Sequence, residues 1–156
     1  MSKAKGTYAL ILKLDRETVI TIGRLTTFAF SSGYYLYTGS ALGGLFPRIE
    51  RHIRGGKKLH WHIDYLRREA MVVEVWYLVS EERLECDWYQ AAADMPDAEV
   101  LVYGFGSSGC RCRSHLVYFK SKPSLADFRR KLGKQGVDLK MVTPEGSKAS
   151  LLSVAD

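Results

Sequence analysis

Arg48 and His52 are four residues apart, a spacing that stacks both side chains on one side of a helix. At about 100° per residue they fall beside the apolar stripe Leu45/Ile49/Ile53, so they border a core instead of pointing into bulk water. The plain alternative is a half-buried arginine paired with an acid, with His52 a satisfied edge residue. Tyr8, Tyr34, Tyr35 and Tyr37 fall at or near strand ends, where most tyrosines pack their rings and solvate their hydroxyls. Glu85 follows Leu84 on an otherwise apolar helix face. An acid at a core boundary needs a partner, either a base or a cation. Cys110-x-Cys112-x-x-His115 puts three soft ligands within six residues and could begin a zinc site, with Cys86 as a distant fourth ligand. The C-x-C spacing is not the usual C-x₂-C, so reduced loop thiols are the default expectation and zinc the lesser alternative.

The elements that must position these residues follow from periodicity. Residues 6–14 alternate as a strand, with Tyr8, Leu10, Leu12 and Leu14 on one face. After the turn Asp15-Arg16-Glu17, the β-branched run Thr18 to Ile22 is expected to pair back as a hairpin. Tyr34 to Gly39 is the next strand, with Tyr35 and Tyr37 on one face and Tyr34 and Leu36 on the other. Gly43-Gly44 opens a helix whose first turn accommodates Pro47, and Gly55-Gly56 ends it. His60 to Arg68 suggests a short helix. Met71 to Val79 reads as a strand covered on both faces, and Glu81 to Ala93 as a helix with Leu84, Trp88 and Ala91 inward. Short strands are expected at Val100–Tyr103 and Leu116–Phe119, flanking a Gly/Ser/Cys loop. Ser124 is a plausible N-cap for a basic helix ending at Leu132-Gly133. The order suggests an α+β domain with a small, mainly antiparallel central sheet flanked by helices. One domain is expected over residues 1–156: a core at about 6–93, an extension at about 94–133 and a mobile tail at 134–156.

The chain has 156 residues, 46% hydrophobic and 26% charged, which excludes a disordered chain, a collagen-like one and a disulfide miniprotein. Three cysteines cannot all pair internally. With no run of about 18 apolar residues and no signal-peptide core, the expected home is the reducing cytoplasm, away from membranes. The net charge of +6 is uneven. Residues 48–58 hold five bases against Glu50; residues 69–99 hold nine acids against Arg83; residues 111–140 hold nine bases against Asp127 and Asp138. If the two basic segments share a face, that face attracts a polyanion.

Gly6-Thr7-Tyr8, then Tyr37-Thr38-Gly39, then Arg48 with His52 one turn on, then Glu85, resembles the GIY-YIG nuclease superfamily over about residues 6–93. Four further stretches are Gly33 to Leu45, Lys58-Leu59-His60-Trp61-His62-Ile63-Asp64-Tyr65-Leu66, Leu84-Glu85-Cys86 and Cys110 to Leu116. Together they are similar to one poorly characterised branch of that superfamily, some of whose members are fused to an endonuclease III-like glycosylase. Thr7 and Thr38 stand where the superfamily pattern has isoleucine. An extra hairpin separates the two tyrosines, and one extra residue lies between Gly39 and Arg48. The Cys/His loop is not part of the general nuclease pattern.

The resemblance implies a small divalent-metal-dependent endonuclease acting on DNA, in repair or at unusual DNA structures, with a DNA-repair protein as a further partner. Glu85 would hold one Mg²⁺ or Mn²⁺, and Arg48 would hold a phosphate oxygen. Tyr8 would be the candidate general base, provided the site lowers its pKa; Tyr37 and His52 would position water or share the proton. Arg51, Lys57, Lys58 and His60 would contact neighbouring phosphates. The side-chain tips of Tyr8, Tyr37, Arg48, His52 and Glu85 would then line one solvent-open concavity. Glu85 would lie across it from Arg48, with space between for the ion and outside any closed ion pair, and its placement on the opposite sheet face from Arg48 and Tyr37 would count against catalysis. Two other readings remain: a nucleic-acid-binding module that does not cleave alone, and a zinc-stabilised protein-interaction domain.

Overall fold

The computed structural model describes residues 3–55 and 58–144. Among them the chain runs β1 (Gly6–Leu14), β2 (Thr18–Ile22), β3 (Thr26–Phe30), β4 (Gly33–Ala41), α1 (Leu45–Arg54), α2 (His62–Glu69), β5 (Met71–Val79), α3 (Glu85–Ala93), β6 (Leu116–Phe119), α4 (Leu125–Leu132), a 3-10 turn at Gly133–Gly136 and β7 (Lys140–Val142). Five strands form an antiparallel sheet in the order β6-β4-β1-β5-β7, and β2 and β3 form a separate two-stranded sheet. This is the expected α+β architecture.

β1 is the middle strand, and its alternation feeds two cores. Tyr8, Leu10, Leu12 and Leu14 join Tyr35, Tyr37, Leu45, Phe46 and Ile49, so α1 covers that face. Ala9 and Ile11 join Leu36, Trp76, Trp88, Tyr89 and Phe128, so α3 and α4 cover the other. Sealing both faces removes nearly all of β1 from water, and hydrophobic burial of such side chains contributes roughly 1.5–3 kcal/mol each.

Several elements differ from the sequence expectation. β2 does not pair with β1, because both edges of β1 are taken by β4 and β5; it pairs with β3 instead. Val100–Tyr103 is not a strand. The segment touches the sheet through a single bridge, Glu99 to Tyr118, and then turns away. α2 starts at His62, two residues later than expected, and α3 at Glu85 instead of Glu81. The Leu84 N–H donates to the Thr7 hydroxyl, which holds the preceding segment against β1 and outside the helix. The expected tail is ordered in part: β7 pairs with β5 at Val75–Tyr77. Residues 145–156 lie outside the described residues. α4 follows the sequence expectation, with the Ser124 hydroxyl accepting the Asp127 N–H at 3.2 Å.

Candidate functional site

An open cleft of about 370 Å³ lies at the edge of β4, beyond the last residue that pairs with β6. Its lining includes Tyr8, Tyr37, Arg48, Trp61, Glu85 and His115. Four of the five expected catalytic residues therefore share one concavity. The fifth, His52, is buried behind Tyr8, with its Nε2 2.9 Å from the Tyr8 hydroxyl. Glu85 does not occupy the sheet face of Arg48 and Tyr37. It begins α3 on the opposite face and reaches the cleft around the β4 edge. A larger cleft of about 570 Å³, between Met95–Glu99 and Phe119–Asp127, contains none of the candidate site residues.

The two tripeptides are directly paired: Tyr8 is opposite Gly39 in the β1–β4 register. A β-carbon at Gly39 would lie 2.5 Å from the Tyr8 hydroxyl oxygen, so glycine is what lets that ring lie over β4. The threonines at the isoleucine positions have a definite task. Thr38 donates to the Glu85 carbonyl at 3.0 Å, and Thr7 accepts the Leu84 N–H at 3.2 Å. Both are fully buried, and together they fix the first turn of α3, where Glu85 sits.

Glu85 is 13% exposed in its side chain. Its Oε1 is 3.6 Å from Arg83 Nε, so the expectation of a carboxylate outside any ion pair is not met. Its Oε2 is buried with no hydrogen-bond partner among the described residues. A buried carboxylate oxygen left in this state is unstable without a donor or a cation.

Arg48 lies over the Trp61 ring at 4.4 Å, and Arg51 lies against the same ring at 4.5 Å. The salt bridge that the plain reading gave to Arg48 belongs to Arg51, which donates to both Asp64 oxygens at 2.9 and 3.1 Å and to the Lys58 carbonyl. That guanidinium is committed to holding the 58–64 segment and is not free for a phosphate. Asp64 also accepts the His60 and Trp61 N–H groups at 2.8 Å. Burial alone would raise its carboxyl; Arg51 and the two amides hold it below the usual value. Lys58 and His60 are exposed beside this unit, and Lys57 lies outside the described residues.

Burial pushes the Tyr8 phenol up to about 12, although the neighbouring Arg48 pulls the other way. Tyr37 is raised by burial and then by Tyr8. Burial drives His52 down to about 3. Tyr8 and Tyr37 are therefore phenols and His52 a neutral imidazole at pH 7. This is opposite to the lowered tyrosine pKa that the sequence reading required.

Beside this cleft, Cys86, Cys110, Cys112 and His115 place one sulfur or nitrogen each within 4.8 Å of one another. This group can hold a metal ion. The sequence named Cys110, Cys112 and His115, with Cys86 as the candidate fourth ligand, and the fold brings all four together. Cys110 and Cys86 sulfurs are 3.3 and 3.6 Å from His115 Nε2. Burial lowers the His115 pKa, opposed by a backbone hydrogen bond with Gly106, so its imidazole is neutral. Burial raises Cys86, with Cys112 and Cys110 adding to it; burial also raises Cys112, opposed by its hydrogen bond with Cys86 and aided by Cys110. The loop is seated on the cleft: Gly106 has φ +68°, and a β-carbon there would meet the Tyr37 ring at 2.8 Å.

A mainly antiparallel α+β fold with a polar cleft at the sheet edge and a four-ligand thiol–imidazole cluster beside it defines the class of protein. Within that class, the chain belongs to the family described as Domain of unknown function DUF123, which matches residues 7–137. That span holds every candidate site residue from Tyr8 to His115 and stops before β7. Neither a curated protein nor a solved structure matches the chain.

Proposed function

We propose that the protein is a divalent-metal-dependent endonuclease that hydrolyses phosphodiester bonds in DNA. The observation that carries this reading is the convergence in one open cleft of the unpartnered Glu85 Oε2, the Arg48 guanidinium and the rings of Tyr8 and Tyr37. The ordered resemblance to GIY-YIG nucleases supports it. A buried carboxylate oxygen without a partner, on a residue that lines the cleft, fits Mg²⁺ or Mn²⁺, since such an ion takes one or two carboxylates and keeps most of its waters. When bound, the cation supplies Lewis acidity to the phosphate and the leaving oxygen.

The chain's own groups do the rest. Arg48, aligned by Trp61, binds a non-bridging phosphate oxygen and offsets charge that develops in the transition state. Tyr8 acts as a pair with His52. The phenol oxygen accepts a hydrogen bond from the attacking water, and the neutral His52 ring, with Nε2 at 2.9 Å from that oxygen, fixes the orientation of the hydroxyl. Tyr37 restricts the water from the other side. Lys58 and His60 lie beyond Trp61, where neighbouring phosphates would pass, and contribute position without sequence information.

The test is nicking of supercoiled plasmid with and without Mg²⁺ or Mn²⁺, comparing wild type with Glu85→Gln. Metal-dependent nicking that falls about a hundredfold or more in the variant, with DNA affinity within a few-fold, is the expected result. Equal rates at saturating metal would remove Glu85 as a metal ligand.

A further inference from the structure

The Cys86, Cys110, Cys112 and His115 cluster is not used by the proposed chemistry, and it stands on its own geometry. A tetrahedral zinc ion with Zn–S near 2.3 Å and Zn–N near 2.0–2.1 Å separates its ligands by about 3.8 Å between sulfurs and about 3.6 Å between sulfur and nitrogen. The Cys110 and Cys86 sulfurs are 3.3 and 3.6 Å from His115 Nε2, and all four ligand atoms fall within 4.8 Å of one another. Contraction by about an ångström or less closes the site. Three thiols and an imidazole are a soft donor set, unsuited to Mg²⁺ and well suited to Zn²⁺.

We propose that Cys86, Cys110, Cys112 and His115 bind one structural Zn²⁺ that fastens the 104–115 loop and the start of β6 to the first turn of α3. Four protein ligands fill the tetrahedron and leave no open position, which is the pattern of a structural site, not a hydrolytic one. Binding converts the three thiols to thiolates, releasing their protons to solvent, while the imidazole binds as the neutral form. The ligands come from three places: Cys86 from α3, Cys110 and Cys112 from the irregular loop, His115 from the residue before β6. The other ties of the loop include Gly104 N–H to the Arg113 carbonyl at 2.5 Å, His115 N–H to the Phe105 carbonyl at 2.8 Å and Gly106 N–H to His62 Nδ1 at 2.8 Å, with Phe105 buried in the core. Cys86 follows Glu85 directly, and both Cys110 and His115 line the cleft. The ion thus holds the cleft wall and the Glu85 turn in one rigid piece.

The experiment is metal analysis of the full chain purified without chelator or an immobilised-metal step, with hydrogen exchange before and after zinc removal. The expected result is one zinc per chain, falling below about a tenth in Cys110→Ser/Cys112→Ser. The chelated wild-type protein, given Co²⁺, should develop the visible absorption of a tetrahedral thiolate site. The Gly104 and His115 amides should exchange about tenfold faster or more once zinc is removed. Wild-type protein with no zinc and no cobalt absorption, or with iron in its place, overturns the site, and this holds even if the double variant fails to fold. Zinc retained in the double variant overturns the ligand set. Unchanged exchange at both amides overturns the clamp. None of these readouts depends on DNA cleavage.

Discussion

Thr7 and Thr38 are the residues by which this chain departs from the nuclease tripeptides, and both hydroxyls hold the turn that carries Glu85. Replacing either with valine keeps the shape and removes one buried hydrogen bond, a loss of about 1 kcal/mol in stability. Thr38→Val leaves the Glu85 carbonyl without that donor. The expected outcome is a cleavage rate lowered about tenfold with DNA affinity unchanged, read by single-turnover kinetics. An unchanged rate would mean that Glu85 is held by other contacts. Tyr8, Tyr37, Arg48 and Glu85 were legible as a set because residue type and order along the chain carry that signal. Trp61, Arg83 and the threonine hydroxyls were not, because their roles depend on which surfaces meet in three dimensions. The protonation of Tyr8 was also out of reach: burial, not the neighbouring arginine, decides it.

At the scale of elements, α1 is seated by α2 and the segment before it. Arg67 in α2 donates to the carbonyls of His52 and Ile53 at 2.7 and 2.6 Å, covering acceptors that the end of α1 leaves open. Arg51 in α1 is gripped by Asp64. Asp64→Asn should destabilise the protein by about 2–3 kcal/mol, because it strips the charge from a bidentate pair and weakens two amide contacts. Chemical denaturation with an unchanged m-value would measure it. The same substitution should raise the KM for DNA through a looser Arg48–Trp61 contact. Periodicity revealed β1, β4, β5 and α1 because each has a continuous apolar face, and the Ser124 cap marked α4. It failed for β2's partner and for Val100–Tyr103, since β propensity does not say which strand edge is free. β1 had none to offer, and the segment after Glu99 has a single bridge.

For the whole molecule, burial of neutral His52 makes stability depend on pH. Its pKa is about 3 in the folded protein against 6.5 for the free side chain, so the unfolded chain binds more protons between those values. Stability is full above about pH 6.5 and falls as pH drops. The His52 contribution is about 2 kcal/mol lower at pH 5 than at pH 7.5. His62, also lowered by burial, adds to the same slope. His52→Gln should flatten the profile between pH 7.5 and 5, measured by urea midpoints across that range. If the protein binds DNA as proposed and the basic stretches at 48–58 and 111–140 share a face, binding should fall steeply with salt, and Lys58→Glu should reduce that slope. Among the described residues no helix is long and apolar enough to cross a membrane.

β7 is only three residues long, yet among the described residues it is the strand that covers the outer edge of β5. It carries Lys140 and ends the sheet in the short, charged manner that discourages sheets of separate molecules from zipping together. The family match ends at residue 137, before this strand. A chain cut there would present the backbone of Val75–Tyr77 as an open template, flanked by Met71 and Val79, which are already 64% and 53% exposed. Such a truncated protein would keep its cleft and still tend to self-associate, with light scattering that rises with concentration while the full chain stays monodisperse.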